Sequence, residues 1–327
     1  MSSQIVNEVG VSNPFSSVLG FRYLDQDEID LRMKIREAFE VVSRGNMSRA
    51  IELPLAAPVA DFVGRAPRPL SERNVRRLFS AITPEGTPCA LRYEGTALTA
   101  KYVAAELNID PSIQLRRYHY FQEMVRVELA EDLDEHHYRA FYQAGAEFFA
   151  KGVDEHNQNI RAIIGLTIDF LHLLKLNPIL RISHVDILKV PLLQVAGLSN
   201  FNSKRIMEKF ESGTIEELTE ILKALRTPQL IFDALITLFA NKEVDLETGL
   251  SILQQFGGLF SRASKDLQDL LDGLKQSSLD KFCRFDPGVN RSLDFYSGLT
   301  FQGDVSQLKE CLGGGVFSGL VESFGRD

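Results

Sequence analysis

The chain has 327 residues, 44% hydrophobic and 24% charged, enough to bury a full core in one large domain with a smaller one attached. Its net charge of −8 argues against a surface given over to non-specific DNA or RNA binding. The three cysteines, Cys89, Cys283 and Cys311, form no CxxC pair and have no histidine at metal-ligand spacing, so they read as buried thiols of a cytoplasmic protein with no metal site. The start MSSQIVNEVG lacks the basic and apolar regions of a signal peptide, and no apolar run approaches the ~20 residues of a membrane span.

Residues 1–20 read as a polar lead-in. From Asp25 to Ser43, apolar residues at helical spacing behind an acidic first turn predict an amphipathic helix. The segment AIELPLAAPVADF (50–62) predicts a strand ending at Pro54, then a turn and a short helix. PCALRYEGTALTAKYVAAEL (88–107) begins as a strand and becomes helical after Gly95, which puts Glu94, Gly95 and Thr96 at a strand-to-helix junction.

Two β-rich runs follow, 113–129 and 137–150, separated by the acidic AEDLDEHH; an antiparallel pair with a long loop is the expected arrangement. Residues 157–176 predict a mostly apolar helix and 178–188 a strand. From 190 to 278 the periodicity is helical, with Thr214 as an N-cap, and predicts an insertion that packs largely on itself. Strands are expected again in KFCRFDPG, SLDFYSGLTFQGD and GGGVFSGLVESFG. The order is that of an α+β fold around an antiparallel sheet, with a core of 1–189 and 279–327 and a helical insertion domain of 190–278.

Glu94, Arg126, Gln143, Glu147, Arg291 and Tyr296 fall on strands or strand ends of that sheet, and alternation puts several on one face. Such a set can hold a zwitterion, with Glu94 taking an ammonium and Arg126 a carboxylate or phosphate. From spacing alone, a binding site and a set of ion pairs on a solvated face are equally compatible with these residues. The adjacent His136 and His137 are framed by no carboxylate motif, and the GGG at 313–315 lacks the lysine and helix of a P-loop, so a tight turn or close backbone approach accounts for it better.

Taken together, several ordered stretches resemble the class II histidyl-tRNA synthetase family and its paralogue, the regulatory subunit of ATP phosphoribosyltransferase. LRYEGTALTAKYV is similar to the family's LRPEGT segment. YFQEMVRVE followed by YRAFYQAGAEFF is similar to motif 2, with Arg126, Glu128, Arg139, Phe141, Gln143 and Glu147 on matching positions. RSLDFYSGLTF resembles the histidine signature RGLDYYTGxxF, and GGGVFSGLVESFG resembles GGRYDGLxxxxG.

The resemblance implies an antiparallel sheet flanked by helices. It implies a histidine site of Arg291 and Tyr296 on one wall, Glu94 and Thr96 on the ammonium side, and Gln143 and Glu147 at the floor. Arg126 would meet the carboxylate or α-phosphate, Phe141 would pack on adenine, and Glu128 and Arg139 would lie at the nucleotide. It also implies a homodimer through 50–62.

The sequence departs from the family where GGRYDGL becomes Gly314-Gly315-Val316-Phe317-Ser318-Gly319-Leu320, and where the family's loop arginine falls near His137. At Asp327 the family would continue into motif 3, whose arginine grips ATP, and into an anticodon domain. The expectation is therefore a histidine-binding regulatory subunit partnered with an ATP phosphoribosyltransferase catalytic subunit, with tRNA not an expected ligand. The alternative is a catalytically active histidine–tRNA ligase core or an amino-acid-activating, adenylate-forming paralogue, either using ATP and Mg.

Overall fold

The computed structural model describes residues 18–63, 75–127, 138–289, 296–305 and 308–325. Helix α1 (Gln26–Gly45) begins where Asp25 accepts the Glu28 N–H at 2.9 Å and Glu28 returns a bond to the Asp25 N–H, a reciprocal cap that satisfies two otherwise orphaned donors. The segment after it departs from the expected strand. Only Arg49–Ala50 (β1) pairs, parallel to the strand that starts at Leu115. Beyond it the Leu53 N–H bonds the Gln122 side chain rather than a ladder partner, and Pro54 has no N–H to offer. Short β2 (Ala56–Pro58) and α2 (Val59–Val63) follow.

The expected single sheet is three among the described residues. β2 and β3 (Ser80–Ile82) flank β4 (Pro88–Leu91) in one. The second contains β1, β5 (Leu115–Val125) and β6 (Ala140–Ala150), joined between β5 and β6 in the antiparallel register Tyr120↔Gly145 and Gln122↔Gln143. The third runs β10-β9-β7-β8, from β7 (Ile179–His184), β8 (Cys283–Phe285), β9 (Leu299–Val305) and β10 (Leu308–Gly315), with β7 and β8 parallel. The strand predicted through GGGVFSGLVESFG stops at Gly315. After it the chain turns through Gly319, at φ +82°, into a short 3-10 turn at Glu322–Phe324.

Helix α3 (Thr96–Ile109) follows Gly95, and α4 (Val153–Leu173) follows β6. One face of β6, through Ala144, Ala146 and Phe148, packs on the buried Phe39 and Val42 of α1 and Leu166 and Phe170 of α4. That fixes which face β6 turns the other way, toward the site.

After α5 (Asp186–Lys189) come α6 (Asn200–Ser212), α7 (Ile215–Ala224), α8 (Gln229–Ala240), α9 (Leu246–Gln255) and α10 (Ser261–Gln276). Thr214 caps α7 as its spacing to Glu217 requires. These helices do not pack on themselves alone. Leu235, Leu253 and Leu271 share one continuous core with Leu180 and Ile182 of β7, Phe285 of β8 and Ile164 and Ile168 of α4. Gly249 of α9 lies so close to the Phe285 ring that a β-carbon there would overlap it, and the Phe285 N–H donates to Val244 O at 2.7 Å. Each such buried side chain stabilises the joint by about 1.5–3 kcal/mol.

Candidate functional site

A cleft of about 2170 Å³ runs between β6 on one side and β10 with its flanking turns on the other. At its inner end stands Tyr120. Its ring occupies a slot between Gly95 and Gly145, where a β-carbon on either glycine would overlap it. Its hydroxyl donates to Glu147 Oε1 at 3.3 Å.

Two carboxylates meet here through one threonine. The Thr96 N–H donates to Glu94 Oε2 at 2.6 Å and the Ala97 N–H to Glu94 Oε1 at 2.9 Å, so Glu94 closes the amino end of α3, where the free amides favour an anion. The Thr96 hydroxyl donates to Glu147 Oε1 at 2.7 Å. Burial raises the Glu94 carboxyl above its ordinary range, against these amide bonds and the charge of Arg126. Burial likewise pushes Glu147 up to about 8; the Glu94 charge adds to this, while the Thr96 and Tyr120 hydroxyls oppose it. Tyr120 is raised well above the phenolic range by burial and by the two carboxylates. The pocket end is thus acidic in composition yet retains a proton on Glu147 near neutral pH.

Phe141, Gln143, Gly145 and Glu147 recur every second residue on the site face of β6. Gln143 Oε1 is buried and has no hydrogen-bond partner among the described residues, an orphan acceptor aimed into a polar pocket. Arg126, one residue past β5, donates from Nε to Tyr93 O at 2.9 Å and lays its guanidinium over the Phe141 ring at 4.9 Å. Tyr296 enters from the opposite wall, its ring against Gly315, where a β-carbon would come within 2.7 Å of Tyr296 Cδ1.

The structure therefore brings Glu94, Thr96, Arg126, Phe141, Gln143, Glu147 and Tyr296 to one cleft. Arg139 is elsewhere. Its Nη1 donates to Leu19 O at 3.1 Å and its stem covers Gly20, outside the cleft lining. Arg291, Asp294, Glu128, His136 and His137 lie outside the described residues. Val316, where the family pattern has a charged residue, is buried. Cys311 is exposed and Cys89 half-buried, so only Cys283 matches the expected buried thiols.

The sequence reading missed Tyr120 and Arg92. A large residue opposite Gly145 in the β5–β6 register, with a second glycine at a strand-to-helix junction, is the signal for Tyr120. Arg92 is buried and donates from Nε to Glu123 O at 2.9 Å and from Nη1 to Leu53 O, tying three segments behind the site; burial lowers its pKa. No described group of three or more His, Cys, Asp or Glu could hold a metal ion, and no described helix is long and apolar enough to cross a membrane.

The mixed-sheet scaffold flanked by helices has the class II aminoacyl-tRNA synthetase fold. The histidyl-tRNA synthetase family profile matches residues 51–327, and the chain belongs to that family. It is 24% identical over 320 residues to a histidine–tRNA ligase of Natronomonas pharaonis, covering 95% of this chain and 70% of that protein. It is 23% identical over 331 residues to an ATP phosphoribosyltransferase regulatory subunit of Halothermothrix orenii, covering 99% and 72%. Among solved structures, an ATP phosphoribosyltransferase regulatory subunit/histidyl-tRNA synthetase from Bacillus halodurans superposes with a TM-score of 0.79 at 20% identity, over 95% of this chain and 78% of that one.

Proposed function

We propose that the cleft binds histidine and that the chain serves as a regulatory subunit of ATP phosphoribosyltransferase, linking a catalytic partner to the histidine supply. The observation that carries this reading is an imbalance between the two ends of the cleft. The amino-acid end offers Glu94 for the ammonium, Arg126 for the carboxylate, and the orphan Gln143 Oε1 and protonated Glu147 for a polar ring. Among the described residues the phosphate side is poorer in charge, with Arg139 bonded to Leu19 O, and the turn after β10 has Val316 and Ser318 where the family pattern has charged residues. Phosphoryl chemistry depends on such charges. Two relatives bear the regulatory-subunit name.

The second reading is an ATP- and Mg-dependent amino-acid ligase. Arg126 over Phe141 favours it, since that pair can take an α-phosphate and a base. In either reading the chain forms a homodimer through 50–62, where Leu55 is exposed at 59%, with 190–278 as its helical insertion and the cytoplasm as its compartment. ATP–pyrophosphate exchange with each of the twenty amino acids separates the two. Histidine binding by calorimetry without exchange supports the regulatory role; histidine-dependent exchange overturns it.

A further inference from the structure

The helical segment is bonded to the wall that carries Tyr296 through Arg262. Arg262, in the first turn of α10, donates from Nη2 to Ser297 O at 2.8 Å, the carbonyl of the residue that follows Tyr296. Its Nη1 donates to Asp186 Oδ2 at 3.2 Å, and its Nε lies 3.8 Å from Asp266 Oδ2. His184 closes the ring: its Nδ1 accepts the Asp186 N–H at 3.0 Å, which leaves Nε2 to donate to Asp266 Oδ2 at 3.0 Å. Four side chains thus lock the end of β7, the start of α5 and the start of α10 around the guanidinium.

Ser297 is in turn the hub of the wall that carries Tyr296. Its N–H donates to Val316 O at 2.7 Å, its Oγ accepts the Ser318 N–H at 2.7 Å, and the neighbouring Gly298 O accepts the Val185 N–H at 3.1 Å. Tyr296 and the turn after β10 therefore move with Ser297. Arg262, Lys265, Asp266 and Asp269 line the same cleft. We propose that Arg262 is a positioning residue for the amino-acid site, through which the helical segment sets where Tyr296 stands and so tunes ligand affinity. For the ligand this rests on the histidine reading above; for the coupling it does not.

The test uses the full chain with Arg262→Ala, Arg262→Lys and, as a control, Arg205→Ala at an exposed position of α6. Amide exchange at Ser297 and Ser318 is read by mass spectrometry, histidine affinity by calorimetry, and folding by thermal melting. Arg262→Ala is expected to speed exchange at Ser297 and to weaken histidine about tenfold, the loss of one charge-assisted bond, with the melting midpoint close to wild type. Arg262→Lys is expected to restore part of the affinity, and Arg205→Ala to change nothing. Unchanged exchange at Ser297, or equal losses in Arg262→Ala and Arg205→Ala, overturns the coupling. Absence of histidine binding in the wild type, with exchange still altered by Arg262→Ala, removes the ligand assignment and leaves the coupling standing.

Discussion

The Tyr120 hydroxyl and the Glu147 carboxylate meet at 3.3 Å only because the tyrosine ring is seated between two residues that lack a β-carbon. Gly145→Ala is therefore expected to destabilise the fold by about 1–3 kcal/mol, since the ring and its enclosing strands must shift to admit a methyl. Gly258→Ala, where nothing lies within 4 Å of the added carbon, is the matched control and should stay within about 0.5 kcal/mol. Urea denaturation of the two variants checks both figures.

Glu147 gives the fold a pH dependence of definite sign. Its folded pKa of about 8 exceeds the unfolded value of 4.5, so between those values the native state holds the extra proton and stability falls as pH rises. The contribution is complete below about 4.5 and lost through 8, with a slope of at most about 1.4 kcal/mol per pH unit. Glu94, raised in the same direction, adds to it. Melting curves of wild type and Glu147→Gln at pH 5, 6.5 and 8 should show the variant with the flatter profile; parallel profiles would refute the assignment.

Ligand recognition separates Arg291 from Arg139, two of the three arginines that the family pattern aligns with the site. Arg291→Ala should weaken histidine by about 2–4 kcal/mol through loss of a charge-assisted partner. Arg139→Ala should leave histidine affinity within about threefold and cost stability instead, because its stem covers Gly20 and its guanidinium holds Leu19 O. Calorimetry without ATP measures the first effect and thermal melting the second. Equal losses of affinity would sink the assignment of the wall.

Removal of 190–278 is expected to abolish cooperative unfolding of the remainder. Phe285, Leu180 and Ile182 would lose the helices that bury them. A single sharp melting transition in the deletion variant would contradict the shared core.

The elements with strong local signals were legible in the sequence. The acidic first turn after Asp25 and Thr214 as an N-cap announced helix starts, and alternation put Gln143 and Glu147 on one face of β6. What escaped depends on contacts distant along the chain. Arg92 reads as an ordinary surface arginine until Leu53 and Glu123 are seen to enclose it. The helical segment has good amphipathic periodicity whether its apolar faces meet one another or a strand, so periodicity alone could not reveal Phe285 against Gly249. Arg139 matched a motif position, but the backbone of Leu19 and Gly20 draws it away.

Thr96 divides the labour of the pocket unequally between main chain and side chain. Glu94 is gripped by amides of the backbone, which no substitution of Thr96 or Ala97 short of proline removes. Glu147 is gripped by two hydroxyls, from Thr96 and Tyr120, either of which a single codon change deletes. On the proposed histidine reading, the backbone grip that holds Glu94 for an α-amino group is insulated from mutation of Thr96 and Ala97, whereas the chemistry offered to the ligand's own side chain is open to revision. A pocket wired in this way could exchange one amino acid for another without first losing its hold on amino acids as a class.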